Sequence, residues 1–304
     1  MRNFAIITDS CGDLNAENRK KYDVDYVPMR LLYEETKGKT VDIPASLDWE
    51  YLSAKDFYDL MRKGTRVRTA QVPSSDYRAK FTEYLEKGMD VLSISCSSAL
   101  SASFEGSKVV AEELGAKYPE AKIICVDSLN SCLGLAILCM TASALRGEGK
   151  SIEEIAAYIE ANKLKMNQFA TVEDLTYLKR AGRVSAASAV FGGLLQVKPI
   201  IISDAIGQNV AIEKVKGRKN SIARILELTE KAFDPACPYK KIGVGHADAP
   251  EDAATLVKAL SEKYPDVEIV LDYIGPIVGA STGPGTLGVY CFGDEVTFAD
   301  VPKK

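Results

Sequence analysis

Short apolar runs and amphipathic stretches alternate along the first half of the chain. The apolar runs predict buried strands, and the stretches with apolar residues three or four positions apart predict helices. The predicted strands cover residues 4–7, 24–33, 91–96 and 122–126. The predicted helices cover residues 53–62, 77–86, 101–118, 131–146 and 152–164. This alternation is typical of an α/β fold whose mostly parallel sheet carries helices on both faces.

From about residue 168 the pattern changes. Further strands are predicted at residues 169–172, 197–202, 210–215, 241–244 and 268–273, the second and third of them paired across a turn at 204–209. Further helices are predicted at residues 175–182, 185–195, 221–233 and 251–264. Together with a length of 304 residues, the change predicts two α/β domains, residues 1–166 and residues 167–304.

Four segments show neither periodicity and are interpreted as loops or turns. They are residues 34–50, residues 69–74, the basic run 214–219 and the glycine-rich stretch 275–288. The basic run is interpreted as a solvated turn, with a docking surface for an acidic partner as the alternative. Ser75 or Asp76 is expected to cap the helix at 77–86 that follows the loop at 69–74.

Small polar residues follow three predicted strands of the first half. They are the pairs Asp9-Ser10, Ser97-Ser98 and Asp127-Ser128. Ligands of open α/β sheets sit beyond the carboxyl ends of the strands, and a helix N-terminus favours an anion. The sequence therefore predicts a carboxylate or phosphate site at residues 97–101. The alternative is that these serines only cap the following helix.

Composition narrows the class of protein. The chain is 46% hydrophobic with a net charge of −4, so nothing in it favours nucleic-acid binding. Its most apolar segment, residues 132–145, is about 14 residues long and too short to span a bilayer. No stable membrane insertion is therefore expected.

The seven cysteines, without a C-x-x-C pair, are interpreted as reduced thiols of a cytoplasmic protein. Four are predicted to be buried: Cys96, Cys125, Cys132 and Cys139.

Motifs for catalysis are weak. Gly283, Gly285 and Gly288 match G-x-G-x-x-G, but only 16 residues follow, too few for a dinucleotide-binding unit. The only histidine, His246, is interpreted as structural, and the scattered cysteines give no zinc-ligand spacing. A serine hydrolase or acyl transferase stays open as an alternative, with a nucleophile among residues 97–101 and His246 as its base.

Five short segments, in order along the whole chain, resemble the DegV family. They are Thr8-Asp9-Ser10; Thr69-Ala70-Gln71; Ser97-Ser98-Ala99-Leu100-Ser101; Val126-Asp127-Ser128 with the later stretches 178–185 and 194–199; and Gly275-Pro276 with Gly279 and residues 282–285. Each segment is short, but the ordered set is specific. The resemblance implies two α/β domains with a fatty-acid tunnel between them.

The resemblance also implies a function and a set of site residues. Such proteins bind one long-chain fatty acid, and in some bacteria they present it to a separate kinase that binds ATP. Carried over by position, Thr69 and Ser98 are expected to hydrogen-bond the carboxylate, with the backbone N–H of Ala99 close by. Ser281 and Thr282 belong to the turn that closes the pocket from the second domain. No cofactor, metal or catalytic activity of its own is expected.

Three departures from the family pattern bear on the ligand. Ser281 stands where the family often has histidine, which leaves a shorter donor beside the carboxylate. Ala70 replaces a serine in the loop. Ala99 and Ala102 replace glycines, which restricts the backbone of the serine-rich turn. Because of these changes, the alternative that the protein carries another anionic amphiphile stays open.

Overall fold

The computed structural model describes residues 2–36, 38–185 and 197–300. In the first half of the chain, strands and helices alternate. In chain order they are β1 (Phe4–Asp9), α1 (Ala16–Tyr22), β2 (Val24–Val27), β3 (Arg30–Thr36), β4 (Lys39–Pro44), α2 (Ala54–Arg62), β5 (Val67–Ala70), α3 (Ser74–Glu86), β6 (Asp90–Ser95), α4 (Ser103–Lys117), β7 (Ile123–Asp127), α5 (Cys132–Gly147) and α6 (Ile152–Asn162).

Four of these strands form a parallel sheet in the order β2-β1-β6-β7. Strand β1 is buried along its whole length, and its Ile6 pairs with Val24 on one side and Leu92 on the other. Strands buried on both faces are encoded by continuous apolar runs, which is why the sequence pattern found them. The predicted alternation of strands and helices is confirmed for this half.

The polar residues that follow these strands meet at one edge of the sheet. The Asp9 carboxylate accepts hydrogen bonds from the backbone N–H groups of Cys11 (3.0 Å) and Cys96 (2.8 Å). The Asp127 carboxylate accepts one from the N–H of Ser98 (3.1 Å). The carboxyl ends of β1, β6 and β7 are therefore joined at one edge of the sheet.

A smaller antiparallel sheet has the order β4-β3-β5. The prediction of an irregular stretch at 34–50 is wrong for β4, which returns against β3 after Gly38 at a φ of 85°. The predicted loop at 69–74 is wrong at its start, because Thr69 and Ala70 belong to β5. Exposed strands of this kind carry few apolar residues, so the hydrophobic pattern gave no signal for them.

Capping residues set the helix starts. The Ser53 hydroxyl accepts a hydrogen bond from the N–H of Asp56 (3.1 Å) and caps α2, as predicted. Helix α3 starts earlier than predicted, at Ser74, so neither Ser75 nor Asp76 is its cap. Pro73 precedes it instead, with a carbonyl that accepts the N–H of Tyr77 (3.2 Å).

The second half builds a mixed sheet. Its elements are β8 (Met166–Thr171), α7 (Leu175–Ala181), β9 (Val184–Ser185), β10 (Val197–Ser203), β11 (Asn209–Lys216), α8 (Arg218–Ala232), β12 (Lys241–His246), α9 (Pro250–Lys263), β13 (Glu268–Tyr273), α10 (Pro276–Thr282) and β14 (Leu287–Phe292). The seven strands have the order β13-β12-β14-β8-β10-β11-β9. The predicted pairing across the turn at 204–209 is confirmed by β10 and β11. The helix predicted at 185–195 lies outside the described residues, apart from Ser185 in β9.

Two of the predicted turns of this half are wrong. The basic run 214–219 is mostly regular structure, since its first residues end β11 and Arg218 begins α8. The stretch 275–288 contains helix α10 and the start of β14, which lies between β12 and β8 inside the sheet. Glycines suppress the helical and strand signals of a sequence, although close packing can require them.

Helix α5 packs against strands of both large sheets. A side chain at Gly243 of β12 would overlap Leu133 of α5, and Gly134 of the same helix lies against Met166 and Tyr290. One buried core therefore contains side chains from both sides of residue 166. Two smaller cores lie within the second half. The division into domains at residues 166 and 167 stays a prediction.

All seven cysteines are free thiols. Cys96, Cys132 and Cys139 are buried, as predicted. Cys125 is only half-buried, contrary to the prediction, because it lies on the edge strand β7.

Candidate ligand-binding site

Two cavities adjoin where β5 faces the helices α7 and α10 of the second half. The first, which we call the mixed cavity, has a volume of about 190 Å³. Its apolar lining includes Met29, Leu100, Leu178, Val184, Ile277 and Val278. Its polar lining includes Thr69, Ser101, Arg183, Ser281 and Thr282. Such a combination of apolar walls and a few hydroxyl groups suits an amphiphilic small molecule.

The second cavity, which we call the arginine cavity, has a volume of about 220 Å³. Four arginines line it, and no acidic side chain is among the described residues of its wall. Arg68 belongs to β5, and Arg66 directly precedes this strand. The two arginines are two positions apart and therefore lie on one side of the strand. Arg180 lies on α7, and Arg183 follows the left-handed Gly182 that ends this helix.

Three residues line both cavities: Thr69, Arg183 and Ser281. No hydrogen bond from the hydroxyl group of Thr69 or Ser281 occurs within the described part of the chain. The Arg183 guanidinium donates from Nε to the carbonyl of Leu100 (3.2 Å) and from Nη1 to the carbonyl of Ala181 (3.0 Å). Its Nη2 has no hydrogen-bond acceptor among the described residues. The junction therefore offers two hydroxyl donors and one cation to an anionic group.

The other predicted site residues divide into two groups. Thr282 lines the mixed cavity, but its hydroxyl donates to the carbonyl of Val278 (3.0 Å) within α10. Ser98 and Ala99 are exposed and are not among the lining residues of either cavity. The structure thus brings Thr69, Ser281 and Thr282 together and leaves Ser98 and Ala99 outside this lining.

The serines before α4 have several partners. The Ser97 hydroxyl donates to the carbonyl of Gly207 (2.7 Å), which ties this turn to the second half of the chain. The Ser101 oxygen accepts the N–H of Ser103 (3.2 Å) at the start of α4. Of the serines at 97–101, Ser101 thus contributes to the helix start and also lines the mixed cavity.

Helix α10 is positioned by close contacts with the first half. A side chain at Gly279 would overlap the ring of the buried Tyr58, whose hydroxyl donates to the carbonyl of Ile274. A side chain at Gly275 would overlap the Asp13 carboxylate. These glycines permit the approach that places Ser281 opposite Thr69.

Two buried carboxylates, Asp9 and Asp13, lie at and just after the carboxyl end of β1. Burial raises the pKa of Asp13 to about 8, and neither of its oxygens has a hydrogen-bond partner among the described residues. Burial also raises the pKa of Asp9 to about 6, although the hydrogen bonds from the N–H groups of Cys96 and Cys11 act to lower this pKa. Asp13 is therefore largely protonated at neutral pH, which avoids a buried unpaired charge.

His246 is placed as a structural residue. Its ring packs against Tyr273 at 4.4 Å between centroids, and its Nδ1 accepts the N–H of Ala249 (3.3 Å). Burial lowers its pKa, and it is not among the residues that line either cavity. No hydrogen bond joins it to a serine of 97–101, all of which are described.

Two further findings concern the whole described part of the chain. It contains no group of three or more His, Cys, Asp or Glu side chains placed to hold a metal ion. It also contains no helix with the length and hydrophobicity needed to cross a bilayer.

Sequence reasoning missed the arginines. Arg180 and Arg183 lie within a segment that carries the family resemblance, but no role was assigned to them. Arg66 and Arg68 lie just before the Thr-Ala-Gln segment and belong to no motif. The alternation of arginine with apolar or hydroxyl residues at 66–69 was the available signal, since it is typical of a half-exposed strand.

Comparison with known proteins covers nearly the whole chain. Residues 3–294 match the family described as "Uncharacterised protein, DegV family". The chain is 38% identical over 295 residues to a DegV domain-containing protein of Clostridium perfringens, with 97% of this chain and 99% of that protein covered.

Solved structures agree with this match. A crystal structure of DegV, a fatty acid binding protein from Bacillus subtilis, is 31% identical, with a TM-score of 0.80 and coverage of 96% of this chain and 100% of that one. A fatty-acid-binding DegV family protein from Thermus thermophilus is 26% identical, with a TM-score of 0.80 and coverage of 97% and 100%. The chain described here belongs to the DegV family.

Proposed function

We propose that this protein binds one long-chain fatty acid, with the carboxylate at the junction of the two cavities and the acyl chain in the mixed cavity. The observation that carries the proposal is the placement of Thr69, Arg183 and Ser281, which line both cavities. Two hydroxyl groups and a guanidinium can satisfy a carboxylate, and the apolar lining begins directly beside them.

The binding of fatty acids by the similar proteins supports this proposal. The proteins from Bacillus subtilis and Thermus thermophilus are both described as binding fatty acids. Their likeness covers 96% and 97% of this chain.

Burial of the acyl chain is expected to supply most of the affinity. At about 0.8 kcal/mol per methylene, a sixteen-carbon chain contributes on the order of 10 kcal/mol, from which the entropy of association subtracts. A hydrogen bond to a charged group contributes about 1.5–3 kcal/mol. The carboxylate contacts therefore set the orientation of the ligand, and the acyl chain sets the affinity.

Ser98 and Ala99 remain proposed carboxylate contacts that rest on the family resemblance alone. Both are exposed here and lie outside the cavity lining. Ser281, in place of the family's usual histidine, has the shorter side chain, and a bridging water is expected between its hydroxyl and the carboxylate.

The protein is proposed to act as a carrier that presents the fatty acid to a separate kinase. The contacts of His246 and Ser97 favour this over a serine hydrolase or acyl transferase. The Ser97 hydroxyl bonds to the carbonyl of Gly207 and the His246 ring to the N–H of Ala249, so the two side chains do not form a nucleophile–base pair. Because this chain departs from the family pattern at Ala70, Ala99 and Ser281, another anionic amphiphile is the alternative ligand.

Titration with palmitate tests the headgroup assignment. Thr69→Ala and Ser281→Ala are each expected to raise the dissociation constant by about tenfold, because each removes one hydrogen-bonding contact to the carboxylate, directly at Thr69 and through a water at Ser281. Thr40→Ala, at an exposed position of β4, is the matched control and should bind as the wild type does. Unchanged binding in both site variants would remove the assignment, and weakening in Ser98→Ala alone would move the carboxylate to the serine-rich turn.

A further inference from the structure

One buried serine beside the parallel sheet differs from its neighbours. The hydroxyl groups of Ser10, Ser97 and Ser128 each share a hydrogen bond with a backbone group, at 2.9, 2.7 and 3.1 Å. Ser131, at the start of α5, is only 5% exposed, but its side chain makes no capping bond and no described residue is hydrogen-bonded to its hydroxyl. A buried hydroxyl without a partner is costly, so a partner from outside the chain is expected at Ser131.

Ser131 belongs to the most buried part of the mixed cavity. We call the buried residues of the described cavity lining the inner wall; they are Cys11, Met29, Cys96, Ser131, Leu178 and Ile277. Thr69 and Ser281, at the junction of the two cavities, are only half-buried. The thiols of the inner wall are weak hydrogen-bond donors, so the Ser131 hydroxyl is its strongest hydrogen-bonding side chain.

The start of α5 adds backbone donors beside this hydroxyl. The helix is 16 residues long, and the first N–H groups of a helix have no acceptor within the helix. Ser131 directly precedes the first helical residue and does not cap these groups with its side chain. A polar group beside Ser131 therefore meets both a hydroxyl and the positive end of a helix dipole.

A nearby carboxylate favours a neutral polar group over an anion at the inner wall. The Asp9 carboxylate accepts hydrogen bonds from the N–H groups of Cys11 (3.0 Å) and Cys96 (2.8 Å). With a pKa raised by burial to about 6, Asp9 is mostly ionised at neutral pH and repels a second carboxylate placed beside these residues. A hydroxyl group carries no charge and can either donate to Ser131 or accept from it.

We propose that the mixed cavity takes a long-chain fatty acid whose acyl chain carries a hydroxyl group, which is hydrogen-bonded to Ser131 on the inner wall. This inference rests on the proposed function, because the carboxylate must lie at the junction for the acyl chain to reach this wall. An unsubstituted chain offers Ser131 no partner and displaces any water that does. The hydroxyl group therefore sets a preference among fatty acids of one chain length.

Titration of the full chain with stearate, and with hydroxystearates substituted at the third, tenth or twelfth carbon, tests this preference. At least one hydroxystearate is expected to bind about fivefold more tightly than stearate, because it gains a hydrogen bond that stearate lacks. In Ser131→Ala this ratio is expected to fall below about twofold without weaker binding of stearate.

Ser107→Ala is the matched control for this variant. Ser107 is a buried serine of α4 that lines neither cavity, and its hydroxyl donates to the carbonyl of Phe104 (2.7 Å) in the same helix. The variant should keep the wild-type ratio of the two affinities.

The ratio of affinities separates this inference from the proposed function. If the wild type binds stearate and no hydroxystearate more tightly, water satisfies Ser131 and the inference alone is overturned. A preference that persists in Ser131→Ala, or equal losses of both ligands in that variant, would also overturn it. Failure of the wild type to bind stearate or any hydroxystearate would overturn the proposed function. The wild-type comparison requires no variant, and circular dichroism of Ser131→Ala should match the wild type because this side chain makes no capping bond.

Discussion

The two adjoining cavities differ in how they are lined, although they share three residues. The mixed cavity combines apolar side chains with hydroxyl groups. The wall of the arginine cavity contains four exposed arginines and no acidic side chain among its described residues. The comparison teaches that the same three elements, β5, α7 and α10, can present a partly apolar lining to one cavity and a cationic lining to the next.

The difference has an energetic basis. Burial of apolar surface needs no specific partner and scales with area, so the mixed cavity requires only shape and water exclusion. Attraction between exposed charges is screened by salt and depends on several cations acting together. The two cavities are therefore expected to respond to different changes, and the following predictions exploit this, from the largest effect to the smallest.

Filling the mixed cavity is expected to have the largest effect. Ala70 is exposed at the end of β5 and lines this cavity only, so Ala70→Trp can occupy the space without disturbing the core. Exclusion of about four methylenes from the cavity costs about 3 kcal/mol, or roughly a hundredfold in palmitate affinity. Isothermal titration measures the loss.

The control for this change is Ala79→Trp, at an exposed position of α3 outside both cavities. It should leave palmitate binding unchanged. Wild-type affinity in Ala70→Trp would contradict the assignment of the acyl chain to the mixed cavity.

The buried carboxyl group of Asp13 is expected to make folding stability depend on pH. Its pKa is raised from 3.8 to about 8, so the protonated form of Asp13 is the one that the folded state favours. This contribution to stability is fully present below about pH 4 and is lost as the pH rises through about 8. Between pH 6 and pH 8 the wild type should lose about 2 kcal/mol more than Asp13→Asn, which cannot ionise.

Urea unfolding at the two pH values measures this difference. Asp266→Asn, at an exposed position, should follow the wild type. Parallel stability curves for the wild type and Asp13→Asn would show that Asp13 is not protonated in the folded protein.

Salt is expected to have a small effect on palmitate binding. Raising the sodium chloride concentration from 0.05 to 0.5 M should weaken it by less than about threefold, because salt screens the exposed Arg183 but not the burial of the apolar chain. Titration at the two salt concentrations measures the change. A loss of tenfold or more would show that charge, and not the acyl chain, dominates the affinity.

Restoring the histidine that the family often has should give the smallest effect. Ser281→His places a longer donor at the junction and is expected to strengthen palmitate binding by about threefold. Competition with a fluorescent fatty acid detects such a change. A weaker affinity in this variant would indicate that the junction is fitted to the serine and its water.

Much of the fold follows from the sequence pattern, and the exceptions have physical reasons. The strands of the parallel sheet were predicted because their buried faces demand apolar runs. The short exposed strand β4 was missed because it carries few apolar residues, and β14 was missed because Gly283, Gly285 and Gly288 before and within it hid the pattern. The polar strand ends at Asp9 and Asp127 were recognised in the sequence, and they meet because parallel strands end at one edge of a sheet.

The candidate site could be predicted only in part. Thr69 and Ser281 came from the family resemblance, and the structure places both at the junction of the cavities. The arginine cavity could not be predicted, because Arg66 and Arg68 lie far from Arg180 and Arg183 in sequence and meet only when α7 folds against the first half. Ser98 also came from the family resemblance, and it is exposed and outside the lining of both cavities.

Native mass spectrometry of the purified protein, followed by denaturation and lipid extraction, tests the central claim most directly. The account predicts one fatty acid per chain, or uptake of one added palmitate or oleate by an empty protein, and loss of that binding in Ala70→Trp. A wild-type protein that carries no lipid and takes up neither fatty acid would contradict it.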